Sequence, residues 1–277
     1  MLLYTFSMPL KRLHVERRPI DLAAYKFRVA HEVDCYRRVT GPTLVYEGSE
    51  LKIAYMELDE RLPRVVEALR RIEYVRDWRT GGLPTNSRII GYTPRAPLRK
   101  DFCAPVSLAS ELPEEHRVIC EAGAVADRYY TKVNPGLYFQ HNSLMKERVN
   151  PNWRIDDSVF TSGIINKNNP LRYHFDTGNF QNVWSAMLVF KKDCEGGGLN
   201  VPEYDLHFTL NDHSLLMFDG QGLLHGVTPF KLRTDRGYRY SVVYYSLRQM
   251  WNCLPPDKEL ARIRHVKTRR EVRRARR

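Results

Sequence analysis

Long hydrophobic runs are missing from this 277-residue chain. Nothing approaches the ~18 consecutive apolar residues of a membrane span, so no spanning helix is expected. The N-terminal stretch MLLYTFSMPLKRLHVERRP has too short an apolar segment, and its charges fall in the wrong order, for a signal peptide; an intracellular protein is the expectation. Cysteine is sparse and scattered: Cys35, Cys103, Cys120, Cys194 and Cys253 are odd in number and form no CxxC pair. That argues against a zinc ribbon or a disulfide frame and for a reducing compartment. No Gly/Ser linker, repeat or low-complexity spacer divides the chain.

Acidic charge is scarce at one end. Residues 261–277, ARIRHVKTRREVRRARR, hold eight Arg and one Lys against one Glu, whereas the whole chain carries +12. Two-thirds of the net charge therefore sits in this tail. Such a tail either solubilises or lies on a polyanion, with DNA phosphates the candidate. It lacks the large apolar residues that one face of an interfacial membrane helix needs.

The remaining composition, 43% hydrophobic and 11% aromatic, suits a globular protein with a full core. Residues 1–150 read as a helical and irregular part. A helix is expected over about 57–78, where Leu62, Val65, Val66, Leu69, Ile72, Val75 and Trp78 recur at three- and four-residue steps. Another is expected over about 114–132, closed by NPG. From about 158 the texture changes to strand-length runs (SVFTSGIIN, NVWSAMLVF, DLHFTL, HSLLMFD, YRYSVVYYS) separated by glycine-rich or polar breaks. The expected fold is α+β: a double-stranded β-helix, or jelly roll, over residues 151–250. The N-terminal helices pack outside it, and 251–277 form a basic tail.

His174 and Asp176 stand two apart in RYHFDTGN, where a loop is expected to enter a strand, so both side chains can face one ion. His225, after the HSLLMFD strand and a GQG turn, is the candidate third ligand. Two histidines and one carboxylate form the set that holds non-haem Fe(II) on one face and leaves positions open for co-substrate and oxygen. His207 and His213 are expected to be surface or supporting residues. Arg239 lies at the head of the last apolar strand, where a buried guanidinium needs an anionic partner. Either it pairs internally with Asp219 or Asp235, or it anchors the far carboxylate of 2-oxoglutarate, with Ser241 on the same strand face.

HFDTGN, EGGGLNVPEY, HGVTPF and RYSVVYYS together resemble the oxygenase domain of the TET and J-binding protein family over about residues 160–247, and GYTPRAPLRKDFC resembles an upstream segment of its microbial and J-binding-like members. The resemblance implies an Fe(II)- and 2-oxoglutarate-dependent dioxygenase that uses molecular oxygen to oxidise the 5-methyl group of thymine or 5-methylcytosine in DNA. His174, Asp176 and His225 match its iron ligands, Arg239 and Ser241 its 2-oxoglutarate anchor, and Asn179 an asparagine that bonds a flipped-out base. A base inside a duplex must leave the stack to reach a buried iron, and Arg95, Arg99 and Lys100 are candidate phosphate contacts, against the alternative of a solvated loop. The short connection between the ligand motifs and the lack of a cysteine-rich region place the chain nearer the microbial, viral or J-binding branch. The expected location is the cytoplasm of a microbial or virus-infected cell, or a nucleus. An oxygenase acting on a protein side chain or small molecule, and a DNA-binding module on a degenerate jelly roll, are the competing readings; oligomeric state is not legible.

Overall fold

A computed structural model describes residues 10–78, 84–96 and 102–275. Its centre is a large sheet in the spatial order Lys11–Val15, Thr43–Glu47, Glu50–Glu57, Ser214–Phe218, Ser185–Lys192, Tyr238–Tyr245, Ser162–Lys167, Pro84–Thr93 and Val75–Trp78. A smaller sheet of Arg37–Val39, Leu206–Phe208, Leu199–Val201, His225–Val227 and Leu171–His174 closes the jelly roll. The strands expected after residue 158 all form. The first half, however, is not merely helical and irregular: it supplies five strands of the large sheet's main path and one of the smaller sheet.

The central strands are apolar on both sides because both faces are covered. Along Ser185–Lys192, Ala186, Leu188 and Phe190 join the core beneath the helices, while Met187 and Val189 join the core between the sheets. Tyr238–Tyr245 alternates in the same way: Tyr240, Val242 and Tyr244 face the helices, so Arg239 and Ser241 face the barrel.

The helix Pro113–Val133 forms where expected. Proline starts it, Glu114 and Glu115 occupy its first turn, and Val118, Ile119, Ala122, Val125, Ala126, Tyr129 and Tyr130 are buried at helical spacing. Asn134 ends it and caps a second helix, Pro135–Arg148, by accepting from Leu137 N–H at 3.3 Å. The expected helix over 57–78 is shorter, Pro63–Arg71; Ile72 turns extended, and Val75–Trp78 pairs as an edge strand with Pro84–Thr93. The apolar period continues through Val75 and Trp78, but strand pairing overrides it.

The basic tail is helical from Pro256 to Ala275. Its first turn is clasped by Glu259, 1% exposed, which accepts from Leu254 N–H (2.9 Å) and Cys103 N–H (3.3 Å) and pairs with Arg95. Burial alone would raise this carboxyl, but the Arg95 guanidinium and the two amides hold it below the ordinary range. Cys103 and Cys253 form a disulfide beside the clasp, one bridge where the scattered cysteines argued against a disulfide frame; the pairing spans 150 residues and leaves no trace in local spacing. Beyond Val266 the helix is exposed on every side through Arg274. No described helix is long and apolar enough to cross a membrane.

Replacing Glu259 with Ala strands Arg95 and two amides. We expect a loss of about 1–3 kcal/mol, read as faster amide exchange over residues 257–262 with the barrel amides unchanged. Because the carboxyl is held low, its contribution is complete above about pH 4.3 and fades only as the medium becomes more acid.

Candidate metal and co-substrate site

Strand pairing sets His174 directly opposite His225. His174 is the last residue of its strand, so Asp176 lies in the turn beyond it rather than on a strand that a loop enters. The turn is held by Asp176 N–H donating to Gly220 O at 2.8 Å. Asp176 Oδ1 then stands 3.5 Å from His174 Nε2 and 3.8 Å from His225 Nε2. One ligand atom from each of the three residues lies within 4.8 Å of the others.

The outer nitrogens fix the ring orientations. His174 Nδ1 donates to Arg172 O (2.7 Å) and His225 Nδ1 to Leu223 O (2.9 Å), which leaves both Nε2 lone pairs facing Asp176. Burial, with His174 alongside, pushes the His225 imidazole down to about 4, so it is a neutral ligand at physiological pH.

Two supports were not legible beforehand. A Cβ at Gly220 would lie 2.3 Å from Asp176 Oδ2, so only glycine leaves room for the carboxylate. Glu203, buried in the EGGGLNVPEY motif, accepts Leu224 N–H at 2.6 Å and pairs with Arg17, which also donates to Gly222 O at 2.9 Å. That clamps the turn leading into His225. The motif was visible; its contact with Arg17, 186 residues away, was not.

Arg239 is 1% exposed. Its Nε donates to Gly197 O at 3.0 Å, while one terminal nitrogen, Nη2, is buried with no partner among the described residues. Neither Asp219 nor Asp235 pairs with it: the Asp219 carboxylate accepts Gln221 and Gly222 N–H, each at 3.0 Å. A Cβ at Gly197, whose φ is +69°, would come within 2.7 Å of Arg239 Cδ and Nε, so this glycine is demanded by backbone and by packing. Ser241 Oγ lies on the same face and accepts from Asn166 Nδ2 at 3.5 Å; its own O–H remains a donor. Burial lowers the Arg239 guanidinium to about 10, still charged at neutral pH.

Asn179 is buried and donates from Nδ2 to Ser185 Oγ at 3.3 Å. Arg95 was expected on DNA; its guanidinium instead clasps Glu259. Arg99 and Lys100 lie outside the described residues. His207 is a buried supporting residue bonded to Asn200 (2.7 Å), and His213 pairs with Asp212 (2.9 Å).

The Tet_JBP family, described as the oxygenase domain of the 2OGFeDO superfamily, matches residues 101–248. The chain belongs to this family. Thymine dioxygenase JBP1 of Trypanosoma brucei brucei is 23% identical over 214 residues, 73% of this chain and 25% of that protein. The chain thus spans about a quarter of the length of that curated relative. Among solved structures, NgTET1 in complex with 5mC DNA superposes with a TM-score of 0.57 at 14% identity, covering 80% of this chain and 83% of that one. An oxidoreductase of the 2OG-Fe(II) oxygenase family from Burkholderia pseudomallei scores 0.49 at 14% identity, covering 86% and 99%.

This Tet_JBP oxygenase uses Fe(II) and 2-oxoglutarate, and its residues fit both. Two imidazoles and a carboxylate suit Fe(II), and the unpartnered Arg239 Nη2 with the Ser241 hydroxyl suits a carboxylate. When bound, iron and 2-oxoglutarate supply dioxygen activation coupled to release of succinate. The chain's own part is to orient the two imidazoles, keep that of His225 neutral and hold a buried cation for the keto acid.

His225→Ala should abolish turnover and weaken iron binding while the melting temperature shows the fold retained. Gly220→Ala should lower metal affinity by about 10- to 100-fold, as loss of a support to a metal ligand does, measured by metal titration. Arg239→Lys keeps the charge and loses the fork, so the KM for 2-oxoglutarate should rise with some activity left. Arg239→Ala should cost about 2–5 kcal/mol, roughly 30- to several-thousand-fold, with iron binding nearly unaffected.

Proposed function

We propose that this chain hydroxylates the 5-methyl group of a pyrimidine, thymine or 5-methylcytosine, in DNA. The observation that supports the reading is a His174/Asp176/His225 cluster and a buried, unpaired Arg239 nitrogen in a fold to which a strongly basic helix is clasped. Phosphate contacts along Arg262–Arg274 would supply binding energy to offset a flipped base, which costs a few kcal/mol. The similarity to thymine dioxygenase JBP1 favours a DNA base over a protein side chain or small molecule. Asn179, fixed by Ser185 five residues after the first ligand, is the proposed contact to the base. The helix replaces Arg95 as the proposed phosphate surface, since Arg95 is engaged in holding that helix.

The test is mass spectrometry of nucleosides after incubating the iron-loaded protein and 2-oxoglutarate with thymine-only and with 5-methylcytosine-containing DNA. Hydroxymethyl product from either supports the reading and names the base. DNA binding without turnover, or succinate release indifferent to DNA, overturns it. Removing residues 261–277 should weaken binding and flatten its salt dependence, the slope of log K against log salt falling by about 0.9 for each duplex phosphate no longer neutralised. Turnover at saturating DNA should survive.

A further inference from the structure

The barrel holds two cations at one end rather than one. Lys191 is the direct cross-strand neighbour of Arg239, two residues beyond Val189 on the strand face that lines the barrel. Its ammonium donates to Gly196 O (3.0 Å) and Leu210 O (3.1 Å), while Arg239 Nε donates to Gly197 O (3.0 Å). Consecutive carbonyls of one glycine turn therefore hold the ammonium and the guanidinium near each other. The neighbouring acids are already engaged. Asp212 bonds Arg61 (2.7 Å), His213 (2.9 Å) and the Lys191 main-chain N–H (2.9 Å), and Glu32 bonds Arg38 (3.1 Å). Among the described residues neither cation has a carboxylate within ion-pair distance.

Like charges set together repel, and burial, complete for Arg239 and partial for Lys191, makes each more costly. Burial, together with Arg239, holds the Lys191 ammonium below the ordinary lysine range despite the nearby Cys194, Asp212 and Glu32. The carbonyl partners are neutral and offset neither charge, and Arg239 Nη2 still lacks an acceptor. An anion seated between the two cations resolves both deficits. We propose that Lys191 is a second positioning cation for the distal carboxylate of 2-oxoglutarate, and that with Arg239 it selects a keto acid carrying a second carboxylate over one without it. This rests on the co-substrate and not on DNA, so it stands or falls separately from the proposed substrate.

A purely structural role, tethering two loops through their carbonyls, predicts something different. Lys191→Gln keeps N–H donors for the loops and removes the charge. Calorimetry on the Mn(II)-loaded protein, without DNA, should show 2-oxoglutarate bound about tenfold more weakly. Binding of 2-oxobutyrate, which has the same keto-acid end and no far carboxylate, should be unchanged, and Lys191→Arg should recover most of the loss. Equal weakening for both keto acids, or no change for either, overturns the proposal. A measurement on the unaltered protein covers the case in which Lys191→Gln does not fold. Saturating 2-oxoglutarate should protect Lys191 from acetylation by acetic anhydride, read by peptide mass spectrometry, and saturating 2-oxobutyrate should not; equal protection, or none, overturns the proposal.

Discussion

Burial of two neighbouring strands on both faces governs this structure. Ser185–Lys192 and Tyr238–Tyr245 lie side by side, with helices on one face and the smaller sheet on the other. Strands buried this way admit charge only where a partner or ligand offsets it. The exceptions sit together at one end, Arg239 opposite Lys191. In the smaller sheet, His174 pairs directly opposite His225. A His/Asp/His cluster together with a buried guanidinium suits a co-substrate that is a metal chelator at one end and a carboxylate at the other.

Precision at the site comes from residues that touch neither metal nor keto acid. Gly220 makes space for the Asp176 carboxylate, and Gly197 for the Arg239 side chain. Glu203 and Arg17 tie the turn before His225 to the N-terminal segment. Each of these contacts joins segments well separated along the chain, and the last reaches back to the first strands. The N-terminal segment is therefore part of the scaffold that aims the ligands.

The second half was legible because its strands are short, rich in β-branched and aromatic residues, and punctuated by glycine and polar turns. The helix Pro113–Val133 was legible because its apolar period is long and its proline and acidic first turn mark the start. The first half misled where two signals overlapped. The apolar spacing through Val75 and Trp78 reads as helix, yet that segment is recruited as a sheet edge. Arg95 looked like a solvent-facing cation because its partner, Glu259, lies 164 residues away.

Residue type and spacing alone therefore picked out the candidates: His174, Asp176 and His225 as a ligand set, Arg239 with Ser241 as a carboxylate anchor, and the basic C-terminal segment as the proposed polyanion arm. These follow from local pattern, because a strand shows every second side chain to one face and a run of arginines is basic in any fold. Tertiary structure alone decided which cations were already paired and which were not. Arg95 is neutralised by Glu259, Cys103 is bonded to Cys253, and Arg239 keeps an unpartnered nitrogen beside Lys191. Such pairings depend on distances between segments more than a hundred residues apart, or on which strands the fold sets side by side and in what register, and neither quantity is carried by the order of residues along the chain.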